Sequence, residues 1–87
     1  MSNYAQISAS KLIKNSQGKI KGIFVSSVSG SPTITVYDNE TATASNKVID
    51  TFTPTAGANY NFYDGINTTN GIYVVIAATV SCTVYYE

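Results

Sequence analysis

An all-β fold, a small antiparallel β-sandwich, is what this sequence predicts, and three observations predict it. First, Ile, Val, Thr and Tyr dominate the larger side chains, while Leu occurs once, at Leu12, and Arg is absent. Stiff β-branched and aromatic residues suit a pleated, half-buried surface better than a helix. Second, apolar residues recur at every other position over several short stretches, the period of a strand. Third, Gly, Pro, Asn and Asp clusters punctuate the chain at the spacing of a small sandwich or barrel. With 87 residues, the chain has room for one domain.

Each element follows in order. After a polar start, residues 9–14 (ASKLIK) form a short first strand closed by Asn15-Ser16-Gln17-Gly18. Residues 1–14 are therefore an N-terminal arm with a short first strand, and residues 15–87 are a single sandwich domain. Residues 19–28 place Ile20, Phe24 and Val28 on one face and Lys19, Lys21, Ile23 and Val25 on the other, a strand covered on both sides at its middle. Gly22 inside it marks a bulge or a close neighbouring backbone. Ser29-Gly30-Ser31-Pro32 is the next turn, followed by a cleanly alternating strand over 33–38 with Ile34 and Val36 inward.

Small polar residues over 39–46 make a surface loop. Residues 47–53 mix Asp50 with Val48 and Phe52 on one face, the pattern of an edge strand. Residues 58–63 form an aromatic strand, and Asp64-Gly65 and Asn70-Gly71 bracket a second loop. Residues 71–78 and 80–86 make a terminal pair of strands. The total is six or seven short antiparallel strands in a jelly-roll or immunoglobulin-like arrangement.

Composition excludes several functions. Five Lys balance five Asp and Glu, so the chain lacks the cationic excess that phosphate neutralisation demands, and no nucleic-acid partner is expected. Ile72 to Ala78 is the longest apolar run, far short of a membrane-spanning helix, and the first residues carry no apolar signal-peptide core. No membrane partner is expected, and synthesis in a cytoplasm is. Without His, neither a Ser-His nor a Cys-His nucleophile pair exists, so no enzymatic activity and no catalytic residue are expected. The acids Asp38, Glu40, Asp50, Asp64 and Glu87 read as turn caps and edge charges. Oxygen ligands cluster in Asp38-Asn39-Glu40 and Asp64-Gly65-Ile66-Asn67, but neither has the spacing of a helix-loop-helix calcium site. Asx side chains in loops usually bond their own backbone, so no metal and no cofactor are expected. The single Cys82 alternates with Val80 and Val84 and reads as a small buried hydrophobe.

The tyrosines are the informative residues. Tyr37, Tyr63, Tyr73 and Tyr85 fall opposite the main apolar alternation of their strands, Tyr4 and Ile7 lie in the polar arm, and Tyr86 is next to last. Tyr joins a large apolar body to a polar tip, the profile enriched at interfaces. These seven residues are the candidate interface. A sugar-binding aromatic strip is the competing use, although Trp is absent.

From Asn15 onward the order of features resembles a pattern recurring in small structural proteins of tailed bacteriophages. It comprises Gly22-Ile23-Phe24-Val25, then Thr33-Ile34-Thr35-Val36-Tyr37-Asp38-Asn39, a Thr/Ala/Ser loop, residues 47–57 (KVIDTFTPTAG), Asp64-Gly65-Ile66, Gly71-Ile72-Tyr73-Val74 and residues 79–87 (TVSCTVYYE). The resemblance implies a β-sandwich on the virion, in several copies about a symmetry axis with a trimer favoured. The role implied is capsid decoration (cement), bound between subunits of the major capsid protein and bracing the shell. Many such proteins carry this pattern within longer chains that include an anchor or fibre, so a tail, head-fibre or adaptor position is the alternative.

Overall fold

The computed structural model describes residues 3–41 and 46–87, without the Tyr63 side chain. Among the described residues there is no helix. Six strands are present: β1 (Asn3–Ile7), β2 (Lys11–Lys14), β3 (Gly18–Tyr37), β4 (Lys47–Phe52), β5 (Asn59–Thr68) and β6 (Ile72–Tyr86). All pairings are antiparallel. The part of the polar loop that falls on residues 42–45 lies outside the described residues.

Two long strands organise everything else. β3 and β6 pair along nearly their whole length, from Ile20 opposite Tyr86 to Tyr37 opposite Tyr73. A straight strand of twenty residues would run roughly 65 Å at about 3.3 Å per residue. The longest dimension of the molecule is only 33 Å, so the β3–β6 ribbon folds over on itself. The fold lies where Ser29 pairs with Thr79 and Thr33 with Ala77, a step of four residues in β3 against two in β6. Gly30 (φ 74°) and Ala78 (φ 64°) supply the left-handed backbone there, and Pro32 is buried against the bend.

Folding the ribbon makes two half-sheets. In the first, strands run β5–β3–β6–β1; in the second, β4–β3–β6–β2. Their inner faces meet in one core: Ile7, Ile20, Ile23, Val25, Val80, Cys82 and Val84 from the first half and Ile34, Val36, Ile72 and Val74 from the second. The smallest dimension, 17 Å, matches two layers about 10 Å apart with their backbones. The sandwich predicted from alternation is thus built from two shared, bent strands. The edge strands stack above one another, as the edge-on contact of Phe52 in β4 with Tyr60 in β5 shows (centroids 5.1 Å apart, interplanar angle 69°).

Several expectations are corrected here. The Ser29–Pro32 turn bends one strand and does not separate two, and residues 71–78 and 80–86 are likewise one strand. Asp64-Gly65 does not end β5: Asn61 pairs with Gly22 and Ile66 with Ile20, so four residues bulge out and the strand resumes. Residues 3–7, read as part of a polar arm, form β1 on the edge of the domain's own β6, with Ile7 only 5% exposed inside the core. Burial of Ile7 removes apolar surface from water, which is reason enough for the segment to dock on its own sheet. β2 falls within the predicted first strand, and β4 is an edge strand as its mixed faces foretold.

Candidate interaction face

The bulge at Gly22 decides what the outer face of the first half-sheet looks like. The register slips between Ile20 and Gly22 against both neighbours, so Ile20, Ile23 and Val25 all point into the core. Alternation then sends Phe24 outward, where sequence parity had placed it with Ile20. A Cβ at residue 22 would lie 2.9 Å from the Tyr60 carbonyl oxygen, so the close approach of β5 requires glycine. The sequence carried the signal in Gly22, but the bulge reverses the face assignments after it until a second shift, between Val25 and Ser27, returns Val28 to the core side.

Register lines up two outward rows across this half-sheet. One row runs Tyr4, Tyr85, Gly22, Asn61; the next runs Gln6, Thr83, Phe24, Asn59. Tyr4 is 73% exposed, Tyr85 39% and Phe24 37%, and these are the exposed large hydrophobic residues of the described chain. All three share one face. Tyr4 and Tyr85 sit directly opposite one another on paired strands, the closest cross-strand relation. Gly22 puts no side chain on the other flank of Tyr85. Neither row contains a charged residue; charge begins at the end of the sheet, where Lys21 lies 3.8 Å from the Glu87 carboxylate.

The remaining predicted interface residues lie elsewhere. Tyr37 and Tyr73 are paired on the outer face of the second half-sheet, in a row from Leu12 through both tyrosines to Lys47, and both are half-buried. Tyr86 packs against the core, and Ile7 is part of it. Tyr63 belongs to β5, but its side chain lies outside the described atoms.

Two of the acids, Asp38 and Asp50, have structural partners. Burial raises the Asp38 carboxyl, but N–H bonds from Asn70, Thr69 and Gly71 and the Thr69 hydroxyl outweigh it and hold the group below the ordinary carboxylate range. The contacts run from 2.8 Å (Asn70 N–H) to 3.4 Å (Gly71 N–H), tying the end of β3 to the start of β6. Asn39 Oδ1 accepts N–H bonds from Glu40 and Thr41, an Asx turn. Asp50 pairs with Lys47 at 3.0 Å; this bond lowers the acid and raises the amine. Among the described residues no three acidic, His or Cys side chains gather as a metal site. An open cleft of about 500 Å³ beside the chain end is lined by polar residues, with Lys19 and Glu87 its charged members. Burial pushes the Cys82 thiol above its ordinary range, and the side chain is packed in the core away from solvent.

The chain matches no family model, no curated protein and no solved structure. Architecture therefore defines its class: a two-layer antiparallel β-sandwich with one uncharged, aromatic outer face. Such a face offers aromatic rings for stacking and apolar contact, and phenol and amide groups for hydrogen bonds.

Proposed function

We propose that this chain is a non-enzymatic structural protein of a bacteriophage virion, a capsid decoration protein that binds the major capsid protein and stabilises the shell. The observation that carries this reading is the gathering of Tyr4, Phe24 and Tyr85 on one uncharged sheet face. A protein whose work is to cover another surface needs rigid apolar area with polar tips, held on regular strands. The succession of strand and turn features from Asn15 onward supports the same assignment. Contact with shell subunits adds stability by mass action to a thin core.

The test mixes the purified chain with heads of a tailed phage from which the decoration proteins have been removed. Stoichiometric binding that raises the temperature of head disruption supports the reading; heads that neither bind the chain nor change in stability refute it. Binding to isolated tails or fibres instead places the protein there. A carbohydrate-binding module is the second reading, favoured by the amides Gln6 and Asn59 beside Phe24 and Tyr4. Saturable binding on a glycan array, with none to heads, selects it.

A further inference from the structure

Four strands form the lateral edges of the sandwich: β1, β2, β4 and β5. Exposed edges offer unpaired backbone groups to other chains, and proteins guard them with charge, bulges or proline. Three of the four are guarded. β4 carries Lys47 and Asp50 and two breaks of register; β2 carries Lys11 and Lys14 and one break; β5 is interrupted by the bulge that contains Asp64 and Gly65. β1 has none of these devices. Its sequence Asn3-Tyr4-Ala5-Gln6-Ile7 is uncharged, free of Gly and Pro, and pairs with β6 through five residues without a slip.

The strand can also pair with a second copy of itself without opposing like charges. Paired antiparallel with a second copy about Ala5, it sets Ala5 against Ala5, Asn3 against Ile7 and Tyr4 against Gln6. We propose that β1 is a homotypic docking edge, through which two copies of this chain join their first half-sheets into one eight-stranded sheet about a two-fold axis. Such an axis stands perpendicular to the sheet, so both aromatic faces point the same way. One face alone covers roughly 250 Å², taking strands about 4.8 Å apart and side-chain rows about 7 Å apart. That is well below the ~800 Å² per partner of a stable protein interface. Joining two copies raises it to roughly 500 Å², nearer to that size, with the Tyr4 residues at the centre. Charges on the underlying β2 edge confine the pairing to the β1 layer.

This inference rests on the virion reading for its purpose alone, since its test needs no virion. Sedimentation of the full chain from micromolar to millimolar concentration should show a dimer. Tyr4→Lys with Gln6→Lys should weaken it at least tenfold, and Tyr4→Glu with Gln6→Glu likewise, because each sets like charges opposite one another. Mixing the two doubles should restore the dimer. Opposed residues in an antiparallel pair lie within disulfide reach, so Ala5→Cys should cross-link under mild oxidation while Ser8→Cys does not. That pair also guards against a double variant that fails to fold. A monomer at millimolar concentration, a trimer, an oligomer indifferent to both doubles, or no Ala5→Cys cross-link overturns the proposal. Heads that bind no copies, with the dimer intact, would instead refute the virion reading.

Discussion

The two outer faces of the sandwich are made from the same two strands and still differ. On the second half-sheet, Tyr37 and Tyr73 are flanked in their row by Leu12 and Lys47, so each ring is shaded by a neighbour and half-buried. Two residues before Tyr37 on the same strand, Thr35 is nearly buried and shares a 2.7 Å hydroxyl bond with Thr51. On the first half-sheet, the row of Tyr85 meets glycine at residue 22, and the same bulge turns Phe24 outward. Tyr85 has glycine on one side and Tyr4 lies on the edge strand β1, so both are more exposed than Tyr37 and Tyr73, and period-two position alone does not decide this. One backbone irregularity therefore separates a shaded face from a bared one.

The largest effect should come from the shared core. Ile23→Ala, at a fully buried site of the first half-sheet, should cost about 2–5 kcal/mol, and Ile34→Ala in the second a similar amount. Denaturant titration should show one transition for both variants, because both side chains pack in a single cluster. Separate transitions for the two halves would contradict the folded-ribbon architecture.

Gly22→Ala comes next. Its Cβ meets backbone and not a flexible side-chain end, so a cost of about 1–3 kcal/mol is expected, and Phe24 exposure should change with the bulge. Asp38→Ala should cost about 1 kcal/mol or less, because the exposed N–H groups of residues 69 and 70 that lose their acceptor can turn to water. Because the folded-state pKa of Asp38 is depressed, its contribution is present above the ordinary carboxylate range and lost as pH falls through the lower folded value. Melting curves between neutral and strongly acidic pH should fall less steeply for Asp38→Asn than for the unaltered chain.

The smallest effect on stability, and the largest on binding, belongs to the bared face. Phe24→Ser and Tyr85→Ser should each shift stability by no more than about 1 kcal/mol. Together they should weaken attachment to heads at least tenfold, whereas Tyr37→Ser with Tyr73→Ser should leave it unchanged. The reverse ranking would move the contact to the other face.

Much of this was legible in the sequence. Alternation in residues 33–38 and 80–86 gave the inward positions of Ile34, Val36, Val80, Cys82 and Val84, and Gly22 announced its bulge. Pairing partners were not legible. The Gly30 and Pro32 chemistry that closes a hairpin also bends a continuous strand, and only long-range pairing with β6 distinguishes them. β1 was hidden for a similar reason: five residues with one core side chain, Ile7, carry too weak a period to stand out from a polar tail. Phe24 was misplaced by counting parity through the bulge.

Hydroxyl-radical footprinting, read by mass spectrometry on the free and head-bound chain, tests the bared face most directly. Phe24, Tyr4 and Tyr85 should oxidise faster than Tyr37 and Tyr73 in the free chain and be protected on the particle. A Phe24 as unreactive as the core, or protection confined to Tyr37 and Tyr73, would contradict the account.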